Sequence, residues 1–219
     1  MTLSDGELSE RYEALYPGAV TDTLDEFGYD RRTLPSSINP LTRDTRMAGV
    51  AFPIVGKPDP DPDYEENIRR FLEMLGEAPE HSVLAYETND EEAAHIGELT
   101  TTALSVGGCR GAVIDGGARD VRFILDQEFP VFCRYTTPKD APPRWQLEDW
   151  DVPVRVGEVE IRPGDVLVGD ADGVACVPRG IAEEILEHAE EMVDTESQIR
   201  EHVRDGMAPL DAFEEYGEF

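Results

Sequence analysis

The stretch Gly97 to Asp120, GELTTTALSVGGCRGAVIDGGARD, constrains the fold of this chain more than any other. Behind the small acidic turn Gly97-Glu98, the run Leu99 to Val106 is compatible with a helix. A glycine break follows at Gly107-Gly108, and then a short apolar run, Ala112 to Ile114, that suits a strand. The pattern predicts that this strand closes on a glycine-rich turn, Asp115-Gly116-Gly117-Ala118, before the pair Arg119-Asp120. Glycine belongs where a backbone turns sharply or approaches another group closely. A guanidinium beside a carboxylate at a strand end can bind an anion and a cation at one place.

The rest of the chain alternates helices with short strands, which argues an α/β class. Helices are expected over Leu8 to Phe27, Tyr64 to Leu75, Val121 to Phe129 and Ile181 to about Asp205. On the second of these, Tyr64, Ile68, Phe71, Leu72 and Leu75 share one face, and Gly76 reads as the stop. Strands are expected over Arg46 to Phe52, Ser82 to Tyr86, Pro130 to Tyr135 and Val152 to Ile161. Val166-Leu167-Val168 and Val174 to Val177 read as a hairpin across Gly169-Asp170-Ala171-Asp172-Gly173. Its aspartates suit a turn for backbone reasons alone, although Asp170 and Asp172 also have the look of metal ligands. Leu34 to Pro40, the acidic proline-alternating segment Lys57 to Asp63, and the tryptophan-bearing segment Asp140 to Asp151 read as loops. Thr21 and Asp22 read as helix caps or solvated positions. The acidic, aromatic tail after Gly206 is expected to pack loosely.

Charge narrows the function. The chain has 48 acidic residues against 19 basic ones, a net charge of −29, and its only lysines are Lys57 and Lys139. Such a surface repels phosphates, which argues against nucleic acid as a partner. Self-repulsion on this scale weakens a compact state at low ionic strength, and a Debye length of about 3 Å in molar salt removes most of it. The composition is therefore expected of a salt-loving organism's protein. Over 219 residues no apolar run approaches a membrane span, and Met1 to Asp5 does not read as a signal peptide. A soluble, cytoplasmic protein of one domain, 1–219, is expected, with a helical part over about 1–45 and a long helix over about 181–205. Cys109, Cys133 and Cys176 have no CxxC spacing and read as buried thiols. His81, His95, His188 and His202 form no zinc motif.

Gly97-Glu98-Leu99, followed by Asp115-Gly116-Gly117-Ala118-Arg119-Asp120, resembles the core of one family. It contains the regulator of ribonuclease activity A (RraA) and the 4-hydroxy-4-methyl-2-oxoglutarate aldolases. The resemblance extends to Asp22-Thr23-Leu24, Gly49-Val50-Ala51, the Pro130-Val131-Phe132 run and the Pro163-Gly164-Asp165 … Asp170-x-Asp172-Gly173-Val174 pattern. One departure is Glu158, where the family usually carries glycine.

The resemblance implies a swivelling β/β/α-type sandwich assembled as a homotrimer or hexamer. It implies a metal-dependent lyase that cleaves a short 2-keto acid through a pyruvate enolate, or decarboxylates oxaloacetate. Asp120 would bind Mg2+ or Mn2+, and Arg119 the keto oxygen. Gly97, Leu99 and Thr100, at a helix start, would receive the substrate carboxylate. Glu98 and a glutamate from a neighbouring subunit, best matched by Glu196, would hold waters around the cation and serve as acid and base. Glu196 also falls on the apolar stripe of the last helix between Met192 and Ile199, where a carboxylate needs a partner such as an arginine across an interface.

Taken singly, these residues have plainer roles: Asp120 as a helix cap, Arg119 as a partner of Asp115. The family also supports two other readings. One is a protein-binding regulator of ribonuclease, a class that lacks the aspartate after the arginine. The other is a related sugar-acid lyase or dehydratase.

Overall fold

The computed structural model describes residues 2–217. Seven α-helices and eleven strands run in this order along the described residues: α1 (Asp5–Glu13), α2 (Pro17–Glu26), β1 (Asn39–Pro40), β2 (Met47–Pro58), α3 (Tyr64–Glu77), β3 (Ser82–Glu87), β4 (Ala94–Ile96), α4 (Glu98–Val106), β5 (Gly111–Ala118), α5 (Val121–Asp126), β6 (Val131–Thr136), β7 (Trp145–Trp150), β8 (Val154–Val156), β9 (Val159–Ile161), β10 (Val166–Asp170), β11 (Gly173–Val177), α6 (Ala182–Arg204) and α7 (Pro209–Tyr216).

Nine strands form one sheet in the order β1-β6-β5-β3-β2-β10-β11, with β4 added beside β5 and β7 beside β2. The β2, β3, β5 and β6 ladder is parallel, and β4 joins β5 in parallel. Every residue from Ser82 to Tyr86 on β3 is buried, because both faces of the sheet are covered. Leu84, Tyr86, Ala112 and Ile114 face one core with Met74 of α3, Leu104 of α4 and Ile124 of α5. Val83, Ala85 and Val113 face the other, closed by the β8–β9 hairpin through Val154, Val156, Val159 and Ile161. A third cluster packs α1, α2 and α6 onto the outward residues Val166, Val168, Ala175 and Val177 of β10 and β11. All three cysteines are free and buried. No helix among the described residues is long and apolar enough to cross a membrane.

Several local expectations need correction. The first expected helix is two, broken at Tyr16-Pro17, where Pro17 takes the first helical position of α2. Neither Thr21 nor Asp22 caps it: the Thr21 hydroxyl bonds back to the Pro17 and Gly18 carbonyls, Tyr16 is the N-cap, and Asp22 is exposed, the solvated position that the sequence also allows. Gly76 lies inside α3, which runs on to Glu77. Asp115 to Ala118 is not a turn but the second half of β5. The 140–151 segment contains β7, paired with β2. The tail forms α7, with Ala212 buried while Leu210 and Phe213 stay exposed.

Candidate active site

Parallel strands deliver side chains to one edge of a sheet, the end where their carboxyl termini emerge. Here β5 and the short β4 end side by side, with Ile96 opposite Ala118. The chain leaves β4 into Gly97-Glu98 and α4, and leaves β5 into Arg119-Asp120 and α5. Both halves of the motif therefore meet. The junction has no room for a side chain at Gly97, where a Cβ would stand 2.7 Å from Asp120 Oδ2 and 3.1 Å from Arg119 Nε. Gly117 is needed for a similar reason, since a Cβ there would meet the Tyr135 ring at 2.4 Å and the Ala93 carbonyl at 2.6 Å. Thr101 and Thr102 of α4 hydrogen-bond Gln127 after α5, both at 2.9 Å, and lock the two helices together.

Asp120 is one of five non-glycine residues with a positive φ among the described residues, and the one that lines this junction. Its backbone is left-handed, φ 56° and ψ 31°, a conformation that non-glycine residues adopt at a cost of about 1 kcal/mol or more. Although it holds the N-cap position of α5, its side chain makes no capping bond to that helix. The carboxylate turns the other way. Oδ2 accepts the Glu98 backbone N–H at 3.2 Å and lies 3.4 Å from Arg119 Nε. The helix-cap role for Asp120 is thereby excluded.

Arg119 does not pair with Asp115 either. Its Nη1 meets Asp140 Oδ1 at 3.1 Å, while Asp115 faces Arg134 at 3.4 Å. Burial pushes the Asp115 carboxyl up, and the Arg134 guanidinium opposes that shift. Asp140 was missed by the sequence, which shows it only in a loop. Its place is set by backbone pairing: Ala94 N–H donates to the Lys139 carbonyl at 2.8 Å, and Ala141 N–H to the Ala94 carbonyl at 3.1 Å.

These groups line a cavity of about 420 Å³. Glu98, Arg119, Asp120 and Asp140 occupy its polar side, together with the start of α4 at Gly97, Leu99 and Thr100. Thr101 N–H is the first in α4 to find an intrahelical partner, the Gly97 carbonyl at 3.0 Å. The Leu99 and Thr100 N–H groups precede it and have none within the helix. Thr102 hydroxyl lies 2.9 Å from the Glu98 carbonyl and 3.4 Å from Glu98 Oε1. The opposite wall comes from α3, from Pro142 and from the start of β7 at Trp145. Asn67, fully buried, ties them together, donating to the Pro142 and Trp145 carbonyls at 3.1 and 2.7 Å and accepting from Leu147 N–H at 3.0 Å.

Behind the polar side lies His95 on β4, its side chain fully buried. Its Nε2 lies 3.3 Å from Asp90 Oδ2 but off the line of a hydrogen bond, and neither ring nitrogen has a hydrogen-bond partner. Burial pushes the imidazole down to about 4, against the opposing pull of Asp90.

Glu196 does not line this cavity. It sits on α6 and accepts a hydrogen bond from the hydroxyl of Tyr16, the N-cap of α2, with Arg200 one turn on at 3.7 Å. Within its own chain its partners are therefore Tyr16 and Arg200. Burial and then the Glu196 carboxylate push the Tyr16 hydroxyl up to about 12.

A profile of the RraA-like family, described as Aldolase/RraA, matches residues 18–176. The chain belongs to the RraA-like family. Over 202 residues it is 29% identical to a protein of Halalkalibacterium halodurans named "Putative 4-hydroxy-4-methyl-2-oxoglutarate aldolase", covering 91% of this chain and 90% of that one. Among solved structures, one described as "novel cellulases from microbes associated with the gut ecosystem" superposes with a TM-score of 0.86 at 35% identity, covering 90% and 89% of the two chains. A Streptomyces coelicolor protein, "an unusual member of the RNase ES inhibitor RraA protein family", superposes with a TM-score of 0.81 at 26% identity, covering 91% of this chain and all of that one. The mixed α/β fold of the RraA-like proteins, expected from the motif, is therefore this chain's fold.

Among the described residues no group of three or more His, Cys, Asp or Glu side chains clusters as a ready metal cage. The charged oxygen donors lining the cavity are the carboxylates of Asp120, Glu98 and Asp140. That set fits a hard cation that keeps most of its waters and takes one or two protein carboxylates, as Mg2+ and Mn2+ do.

Proposed function

We propose that this RraA-like protein is a lyase that breaks a carbon–carbon bond in a short 2-keto acid and releases pyruvate. The observation that carries the proposal is the Asp120 carboxylate, held in a left-handed backbone and turned from its own helix toward Arg119 and Glu98. Four other non-glycine residues among the described ones share the left-handed backbone; what sets Asp120 apart is that its carboxylate points into the cavity.

The start of α4 receives the substrate carboxylate on the Leu99 and Thr100 N–H groups, where the helix dipole favours an anion. Arg119 then faces the keto oxygen. Cleavage beyond the keto carbon sends an electron pair toward that oxygen, and the fixed guanidinium stabilises the charge as it develops. Asp120 and Asp140 hold the fork from two sides, so little reorganisation is needed. A divalent cation held by Asp120 would add charge stabilisation at the same oxygen. Glu98, oriented by Thr102, carries a proton to or from the substrate, directly or through one water. Glu196 contributes only as a residue from a second copy, in a homotrimer or a larger assembly, since it is absent from the cavity of its own chain.

The test is a panel of 2-keto acids, oxaloacetate included, assayed for pyruvate with magnesium or manganese and again with excess chelator. Pyruvate release that stops in chelator is expected. Undiminished release in chelator would overturn the cation's role, and no release from any keto acid would overturn the lyase.

A further inference from the structure

The polar side of the cavity accounts for the reacting end of a keto acid and leaves its other end to the opposite wall. That wall is apolar. Ile68, Phe71, Leu72 and Leu75 present one face of α3 to it, and Pro142 and Trp145, the first residue of β7, close it. Phe71 and Leu75 are partly buried against the core cluster around Met74 and still reach the cavity, while the fully buried residues of α3 are Asn67 and Met74. Leu72 remains 60% exposed.

Charge points the same way. Among the described residues that line the cavity, Arg119 carries the only guanidinium or ammonium, against three carboxylates, Glu98, Asp120 and Asp140. His95 adds no charge near neutral pH, because burial keeps its imidazole neutral. A substrate with a second carboxylate would set that group against apolar carbon with no cation to meet it, an unfavourable burial. The volume, about 420 Å³, lies in the range of pockets that enclose a ring-bearing ligand.

On the lyase reading above, we propose that the substrate is a 2-keto acid with a single carboxylate and an apolar tail, of phenyl or branched-alkyl size, beyond the bond that breaks. Retro-aldol cleavage of such a 4-hydroxy acid breaks C3–C4. The C4 hydroxyl loses its proton and becomes the carbonyl of an apolar aldehyde or ketone. The electron pair left on C3 takes up a proton to give pyruvate, so nothing is oxidised or reduced overall.

Two uncleavable probes separate this from the lyase reading: 2-oxo-4-phenylbutanoate and 2-oxoglutarate, titrated calorimetrically into the full chain in magnesium chloride. The phenyl compound is expected to bind at least about tenfold more tightly, in line with the area of a buried ring. Leu72→Arg, at an exposed position, supplies a second cation and should narrow or invert that ratio. Equal or tighter binding of 2-oxoglutarate by the unaltered protein overturns the tail assignment. So does a Leu72→Arg protein whose ratio is unchanged but whose assembly falls apart in sedimentation, because the wall would then be a contact between copies. Pyruvate release from 4-hydroxy-2-oxo acids with and without a second carboxylate is read in parallel. Its absence from both classes, with the phenyl preference intact, overturns the lyase reading alone.

Discussion

Two segments of this chain use nearly the same residues for different ends. Asp115 to Asp120 and Gly169 to Gly173 are built, apart from Arg119, from glycine, alanine and aspartate at the end of a strand. In the second, Asp170 Oδ1 accepts the Asp172 N–H at 2.9 Å, and the carboxylate is used in closing the β10–β11 turn. In the first, Asp120 leaves its own helix uncapped and turns to a guanidinium and to the N–H of another helix. What separates a turn from a site is where the carboxylate's hydrogen bonds go, and residue type does not reveal it. The second segment closes locally, within three residues. The first depends on a strand, β4, that arrives from elsewhere in the sequence.

Substitutions that treat the two segments alike should therefore give unlike results. Asp120→Asn is expected to lower pyruvate release by roughly 1000-fold, the scale of losing a fixed electrostatic partner, while circular dichroism stays native. Asp170→Asn should leave the rate unchanged. Equal losses would mean that the first segment is no more a site than the second. Arg119→Lys should cost about 100-fold, because an ammonium cannot span Asp120 and Asp140 and still face the substrate. Near-normal turnover with lysine would make Arg119 a structural pair.

Acid should also distinguish the regions. His95 lies behind the Asp120 segment, with Asp90 and the Gly117 backbone facing it and Trp145 edge-on at 5.0 Å. Its folded imidazole is held down to about 4, below the ordinary 6.5, so the unfolded chain binds the extra proton between those values. Stability is then lost as pH falls from 6.5 toward 4, and kept above that window. The melting temperature should fall less steeply there in His95→Gln than in the unaltered protein. Identical slopes would show that the buried ring does not carry the effect. The smallest effect belongs to the hairpin: Asp170→Ala should lower stability by about 1 kcal/mol, one hydrogen bond, as read by urea unfolding.

Much of this was legible in the sequence. The helix at α4, the strand β3 and the β10–β11 hairpin follow from periodicity and turn residues, whereas the meeting of Gly97-Glu98 with Arg119-Asp120 is expected only through the family resemblance. The missed parts share a cause. Gly116 and Gly117 look like a turn because they lack β-branched side chains, yet they lie in β5, where the Tyr135 ring and β4 press too close for a Cβ. β4, β7 and the placement of Asp140 depend on partners far along the chain, which local pattern does not encode. The apolar face of α3 was visible as a stripe, but not that it would line a cavity beside three carboxylates.

Salt sharpens the comparison further. With a net charge of −29, cations gather along the whole surface at low ionic strength. In molar potassium chloride the Debye length is about 3 Å, and only a cation held by direct contact remains distinct. We propose that the acidic surface suits such conditions, and that the melting temperature rises from millimolar to molar salt.

The central claim is that Asp120, and not the aspartates of the hairpin, holds a cation where Arg119 holds the keto acid. A crystal grown in molar salt with manganese and pyruvate tests it through the manganese anomalous signal. The account predicts a peak beside the Asp120 carboxylate, with pyruvate against Arg119 and the start of α4. A peak at Asp170 and Asp172 with none at Asp120, or pyruvate bound away from Arg119, would contradict it.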